Sequence, residues 1–520
     1  MNNKPMNVLF VIADQHRADN NGFMGNQVIS TPNFDAIADR GTVFENTWVS
    51  NPVCMPNRST IMTGRMPSAH GVIFNDRSLD WGANTFVKRF RKSGYRTGLI
   101  GKSHLQHGMS KNSVIAYRGE GSGNSPFPAG WDEAEDYEHY LESLPPNPED
   151  FYGFDHIELS IDHGARATGH HLHWALAKGA KREDLLIDMD GDCPGNDHSS
   201  EWRQIYRPPY DESIHSTSFV TERTINFIEE AEEQNKPWLT WCSFPDPHHP
   251  MTPPGKWFDM YQPEDMKLSS TRHDSLKDAP AHLQLFSEIH PRDQRNWVAP
   301  CGYGNDKLLA EAMAATYGMV SMIDEGVGRI MTRLEELGVR ENTIVVFTSD
   351  HGDMMGDHSL FLKGFMHYRG TLQVPLVLDV PGVNATRTDA LASSIDLGPT
   401  LMDLCDIAPY DGIQGVSLGP VLEDPAACVR DSILIEDDVP MITAKLTPIP
   451  ARIRTLVTAE YKYTRNSKGE EQLFHLSEDP DEMNNVSSQS SARSDLRAAL
   501  LDKMMLADDS SRGAPAQEEM

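Results

Sequence analysis

The sequence predicts an α/β fold, a doubly wound mixed sheet flanked by helices, followed by a smaller C-terminal antiparallel sheet plus helix. Three observations carry this. Short unalternated apolar runs recur through the first 380 residues, amphipathic stretches lie between them, and from about residue 430 the pattern changes to short strands joined by turns.

The apolar runs are residues 7–13, 97–101, 237–244, 343–349 and 374–380. Runs of this length without alternation suit strands buried on both faces of a largely parallel sheet. The stretches Asn33–Arg40, Phe86–Ser93, Ser218–Glu233 and Leu308–Leu337 space apolar residues three and four apart, as helices covering a sheet do. Strand–helix alternation with right-handed crossovers gives the doubly wound core. Residues 105–215 break the rhythm with Gly169-His-His-Leu-His-Trp174 and Asp188-Met-Asp-Gly-Asp-Cys-Pro-Gly195. They read as a loop-rich, solvated insertion that shapes a pocket, and their aspartates do not match an EF-hand loop. Beyond 430, Ser432–Glu436, Ile453–Val457, Lys462–Arg465 and Gln472–Leu476 read as strands, with a turn at Asn466-Ser-Lys-Gly469 and a helix over Ser494–Leu506. The expected organisation is an α/β unit over 1–425, an α+β unit over 426–510, and a frayed tail over 511–520.

A chain of 520 residues is long enough for two or three structural units. Its 46 basic against 76 acidic residues give a net charge of −30, which argues against nucleic acid or an anionic membrane as partner. An anionic substrate would need a local positive site built against that field. No segment approaches the ~20 apolar residues of a membrane span. The run Val8–Ala13 is too short for a secretory core and has no small-residue cleavage site after it, so the expectation is a cytoplasmic protein. The six cysteines (54, 193, 242, 301, 405 and 428) lack metal-ligand spacing and read as thiols.

In open α/β sheets ligands sit beyond the carboxyl ends of the strands. Those ends carry Asp14-Gln15-His16, Lys102-Ser-His104, Pro245-Asp-Pro-His-His-Pro250 and Asp350-His351-Gly352-Asp353. Carboxylate, amide and imidazole donors from distant loops make an oxygen-rich site for a divalent metal. Singly, Asp14 could be a helix cap and His351 a satisfied loop residue; their shared position raises the odds.

The segment Asn51-Pro-Val-Cys54-Met-Pro56-Asn-Arg58-Ser-Thr-Ile-Met-Thr63-Gly64-Arg65 resembles the signature of the sulfatase family, Cys-x-Pro-x-Arg followed by Thr-Gly. Thr31-Pro-Asn-Phe-Asp35, Thr348-Ser-Asp-His-Gly352 and Asp479-Pro-Asp-Glu-Met-Asn-Asn485 extend the resemblance over nearly the whole chain in the expected order. It implies an alkaline-phosphatase-like fold and oxidation of Cys54 to formylglycine by a maturation enzyme. Hydrated, that residue is a geminal diol; the metal lowers the pKa of one hydroxyl, which attacks sulfur, and the other lets the sulfate hemiacetal collapse by elimination. A buried thiol is the bland alternative for Cys54. Its Pro/Asn-flanked setting and Arg58 four residues on favour a nucleophile near a cation at a helix N-terminus.

The resemblance implies metal ligands at Asp14, Gln15, residue 54, Asp350 and His351. Gln15 stands where many sulfatases have a second aspartate, and His351 where many have asparagine. Calcium is the family's habit; the added imidazole keeps manganese as the alternative. It further implies Arg58, Lys102, His104 and Lys363 as sulfate- and nucleophile-binding groups, and His248 as general acid on the leaving oxygen. His70 is expected to support the nucleophile loop; His249 and His367 receive no role.

Hydrolysis of a sulfate monoester is the first reading. The Asp-Gln and Asp-His pairs also resemble phosphonate monoester hydrolases, so phosphonate or phosphate ester hydrolysis is the second. A non-catalytic metal- or sulfate-binding homologue is the third, disfavoured because no expected site position is missing. Lys102-Ser-His-Leu105 and Ser349-Asp-His-Gly-Asp-Met354 resemble choline sulfatases, so a small alkyl sulfate, an aryl sulfate and a sugar sulfate all stay open. A homo-oligomer is compatible with the sequence.

Overall fold

Side chains of β1 (Asn7–Ala13) divide between two cores. Leu9, Val11 and Ala13 pack with Phe219, Phe227, Val320 and Ile323 from helices Ser216–Glu233 and Asp306–Glu336. Val8, Phe10 and Ile12 pack with Ile61, Phe86, Phe90 and Leu397 from helices on the other face. Apolar cover on both faces is why the strand shows no alternation.

The computed structural model describes residues 5–107, 127, 130–187, 197–293, 300–440, 444–445 and 447–508. Its central sheet is eight-stranded, in the order β10 (Thr386–Ser393), β2 (Thr42–Trp48), β9 (Leu376–Asp379), β7 (Thr343–Ser349), β1, β5 (Trp238–Phe244), β3 (Arg96–Gly101), β4 (His156–Leu159). Four strands are those expected: β1, β3 (Arg96–Gly101), β5 (Trp238–Phe244) and β7 (Thr343–Ser349). The fifth run narrows to β9 (Leu376–Asp379) and runs antiparallel to both its neighbours, which makes the sheet mixed. β2 (Thr42–Trp48) and β10 (Thr386–Ser393) complete one side.

The insertion departs from the expectation of a solvated loop. Its described part contains β4 (His156–Leu159), which pairs in parallel with β3, and the helices His170–Ala177 and Arg182–Leu185. Arg223 of the helix Ser216–Glu233 holds Glu158 of β4 with two hydrogen bonds of 2.7 and 2.9 Å. The segment Asp188–Gly195 and the tail 511–520 lie outside the described residues. A short pair, β6 (Cys301–Gly302) with β8 (Leu360–Phe361), stands apart. No helix among the described residues is long and apolar enough to cross a membrane.

The C-terminal sheet is antiparallel, in the order β11 (Ser432–Asp438), β12 (Arg452–Thr458), β13 (Tyr461–Asn466), β14 (Glu471–His475). Leu496 and Leu500 of the helix Arg493–Ala507 pack on its Leu456, Tyr463 and Leu473. β11 also grips the larger sheet's loops. The Glu436 amide donates to the Ser50 carbonyl at 2.9 Å, the Asn51 side chain donates to the Glu436 carbonyl at 2.5 Å, and Asp437 accepts the Phe365 amide at 2.8 Å. One strand thereby braces the approach to Cys54 and the exit from Lys363.

Candidate active site

Cys54 is the first residue of the helix Cys54–Thr63, every residue of which is buried. The Asn51 side chain accepts the Val53 amide at 2.8 Å and Asn75 accepts that of Met55 at 3.1 Å, so the helix start is held by side chains from outside it. His70 meets Thr60 of the same helix at 3.0 Å. Arg58, one turn after Cys54, donates to Oδ2 of Asp350 at 2.7 Å, to the Lys102 carbonyl at 3.0 Å and to Oγ of Ser243 at 2.9 Å. It therefore ties the helix to the ends of β7, β3 and β5 at once.

Asp14, Cys54, Asp350 and His351 converge, all buried, with one ligand atom of each within 4.8 Å of the others. Sγ of Cys54 lies 3.1 Å from Nε2 of His351 and 3.7 Å from Oδ1 of Asp14. Nδ1 of His351 faces the Gly352 carbonyl at 2.9 Å, which puts the proton there and turns the Nε2 lone pair toward the cluster. Gln15 adopts a positive φ of 65°, its amide donates to Oδ1 of Asp350 at 3.1 Å, and its side-chain NH2 bonds Asp353. Its Oε1 is buried without a partner among the described residues. Two carboxylates, an imidazole lone pair and an orphaned amide oxygen fit a divalent cation.

Positive charge gathers here against the −30 of the whole chain. Nζ of Lys363 is 3.0 Å from Sγ of Cys54 and 3.0 Å from Nε2 of His351, and the side chain is buried rather than solvated. The Lys102 ammonium bonds Asp14. Gly101 makes that approach possible: at φ 101° a Cβ would sit 1.8 Å from the Ser243 carbonyl, so only glycine can precede Lys102 here. Burial would raise the Asp14 carboxyl, but Lys102 and Lys363 hold it well below the usual range. Burial and Asp14 push the Cys54 thiol up; the Lys102 and Lys363 ammonium groups oppose them, and its pKa falls. An anion at this position is favoured.

The histidines sit at different depths. His248 is buried with Nδ1 2.5 Å from the His249 carbonyl, so that nitrogen holds the proton of the neutral ring. Burial and neighbouring His163 and Lys363 push its pKa well down. His104, at φ 55°, stands further out, half-buried, with its ring 6.4 Å from that of His163. His249 approaches Gln15 at 3.4 Å, and His367 belongs with Thr455 of β12.

Two residues of this site were not singled out from the sequence. Glu135 accepts the backbone amides of His104, Leu105 and Gln106 at 2.8, 3.0 and 2.8 Å, cradling the loop that carries Lys102. His163 reaches Lys102, Asp14 and His248. Both lie in the insertion, and no local spacing marks them; pairing of β4 with β3 is what brings His163 in.

The mixed eight-stranded sheet, with a metal-fitting cluster at its strand ends and a small antiparallel sheet following, is an alkaline-phosphatase-like fold. A phosphonate monoester hydrolase of Agrobacterium radiobacter superposes with a TM-score of 0.76 over 96% of this chain and 95% of that one, at 24% identity. A structure in complex with its substrate D-glucosamine-2-N,6-O-disulfate superposes with a TM-score of 0.68 over 99% of this chain and all of that one, at 20% identity. In sequence, a family model described as Sulfatase matches residues 6–407, and one described as N-sulphoglucosamine sulphohydrolase, C-terminal, matches 356–509. An arylsulfatase of Clostridium perfringens is 31% identical over 494 residues, covering 92% of this chain and 90% of that protein. A choline-sulfatase of Rhizobium meliloti is 25% identical, covering 92% and 78%. The chain belongs to the sulfatase family.

Proposed function

We propose that this protein hydrolyses a sulfate monoester to an alcohol or phenol and inorganic sulfate, with Cys54 matured to formylglycine as nucleophile. The observation that carries the reading is the meeting, at one buried helix N-terminus, of Cys54 with Lys363 at 3.0 Å, His351 at 3.1 Å and Asp14 at 3.7 Å. Matured and hydrated, residue 54 offers one hydroxyl for attack on sulfur and a second through which sulfate is expelled. A divalent ion held by Asp14, Gln15, residue 54, Asp350 and His351 would supply Lewis acidity to the nucleophile and the sulfate oxygens. The ion proposed is calcium, with manganese the alternative because of the one imidazole donor.

The chain's own groups take the remaining tasks. Lys363 stands where charge develops on the nucleophile and the transferred group. Arg58 fixes Asp350 and the helix of Cys54 in one frame. Lys102 neutralises Asp14 and faces the sulfate, with His104 beyond it. His248, whose Nδ1 is committed to a carbonyl, presents Nε2 to the leaving oxygen and acts as general acid from the doubly protonated ring, the second proton being taken up at Nε2 beside the bound anion. The −30 chain charge fits solution partners of small-molecule or saccharide type, and a formylglycine-generating enzyme is the required maturation partner. A cytoplasmic setting is part of this proposal.

The test is a panel of matched sulfate, phosphate and phosphonate esters on protein whose Cys54 peptide has been weighed. Conversion makes that peptide roughly 18 Da lighter. Sulfate esters are expected to turn over fastest, with kcat/KM scaling with the converted fraction. Preference for phosphonate esters, or full activity with unmodified Cys54, would overturn the reading.

A further inference from the structure

His163 belongs to the segment between β4 and the helix His170–Ala177, and that segment is pinned on several sides. The Ser160 amide bonds the Gly101 carbonyl at 3.0 Å, and Ser160 bridges Gly169. Gly164, at φ 57°, lies so close to the turn after His248 that a Cβ would be 2.7 Å from the Pro250 carbonyl. Tyr210 bonds the Ala165 carbonyl at 2.5 Å, and the Ala167 amide bonds the Leu185 carbonyl at 3.0 Å. A side chain on such a frame is delivered to one place.

That place is between Lys102 and His248. Nε2 of His163 is 2.5 Å from Nζ of Lys102 and 3.4 Å from Oδ2 of Asp14, and its ring stacks on that of His248 at 3.9 Å with a 26° tilt. Two N–H groups cannot face each other at 2.5 Å, so Nε2 is the acceptor and the ring proton sits on Nδ1. Nδ1 is buried and has no partner among the described residues. An ammonium has three protons. One goes to Asp14 and one to His163, which leaves the direction of the third fixed.

We propose that His163 is a positioning residue of this site, whose Nε2 orients the Lys102 ammonium so that its remaining N–H meets an oxygen of the bound oxyanion. The proposal rests on the hydrolase reading above. A packing role for the ring, which its stack on His248 equally permits, requires only an aromatic shape. The orienting role requires an acceptor at the ε position. His163→Phe keeps the shape and removes the acceptor; His163→Gln loses the ring and keeps an oxygen or nitrogen at the same reach; His163→Asn is polar but one bond short.

The experiment measures affinity for inorganic sulfate and inorganic phosphate by calorimetry on metal-loaded protein, with kcat and KM for an aryl sulfate alongside. His163→Phe is expected to weaken anion binding about 10- to 100-fold, the scale of one charge-assisted hydrogen bond. His163→Asn should resemble it, and stands in for it if the Phe variant does not fold. His163→Gln should recover most of the loss, with metal content and melting midpoint alike in all variants. Equal affinities in the Phe and Gln variants, or a Phe variant that binds as wild type does, would overturn the assignment. So would a wild type that binds neither anion. A wild type that binds anions, shows the expected order among variants, and yet turns over no sulfate ester would instead sink the functional reading alone.

Discussion

Arg58 and Asp350 form a hydrogen-bonded ion pair of 2.7 Å with neither side chain exposed to solvent. Their pairing joins the helix that begins at Cys54 to the end of β7. Removing one member of a buried pair strands the other in a medium that solvates it poorly, typically at about 3–5 kcal/mol. Arg58→Met is therefore expected to melt several degrees lower than wild type. A bound divalent ion would relieve the stranded carboxylate, so the deficit should be larger after chelation than in loaded protein. Equal deficits in both states, read by thermal melts, would mean that Asp350 is not a metal ligand.

Asp350→Ala removes a carboxylate from the same cluster. Metal content is expected to fall below stoichiometric and turnover to fall with it, by about 10³-fold or more. Elemental analysis of the purified variant beside its kcat decides the matter. Stoichiometric metal with wild-type turnover would move the metal site elsewhere.

His248 should matter in proportion to the basicity of what departs. Its Nδ1 is bound to the His249 carbonyl, so only Nε2 can serve the leaving oxygen. Its neutral form dominates in the free protein, and a bound anion beside it supplies the charge that lets it take a second proton. His248→Ala is expected to lose little on aryl sulfates with acidic phenols and about 10²–10⁴-fold on an alkyl sulfate. A loss that is flat across the series would leave Lys363 or His104 as the proton donor.

Glu158 gives a pH-dependent stability contribution away from the chemistry. Burial opposes its ionisation, but hydrogen bonds from His156 and Arg223 pull its pKa down to about 2. A depressed carboxylate stabilises the fold above its unfolded pKa of 4.5 and loses that contribution as pH falls toward 2. The shift caps the effect at about 3 kcal/mol; with Arg223 one quarter exposed, about 1–2 kcal/mol is expected. Glu158→Gln should melt about 1–3 °C below wild type at pH 7, with the gap closing below pH ~4.5. A gap that widens in acid would contradict the ion pair's role in holding β4.

The strands legible in the sequence were those covered on both faces. β1, β5 and β7 are continuous apolar runs because helices pack on each side of them. β2 carries Glu45 and Asn46 at half-buried positions, β10 lies at the sheet edge with Arg387 and Asp389 exposed, and β4 alternates as the other edge strand. None of these makes an apolar run. The loops leaving β1, β3, β5 and β7 could be read because strand ends and site residues are adjacent in sequence. His163 could not, because a histidine after an unrecognised edge strand looks like any other histidine in a polar loop.

The grip of β11 on both Ser50–Asn51 and Phe365 has a consequence for building chimeras. A C-terminal sheet transplanted from a relative would arrive as a foreign jaw on a vice whose other jaw holds Cys54 and Lys363. Unless its residues at 436 and 437 present the same carbonyl and carboxylate, the gap between thiol and ammonium would change without any substitution in the larger sheet. Shuffled proteins of this architecture should therefore be cut so that residues 50–54, 363–365 and 436–437 travel together.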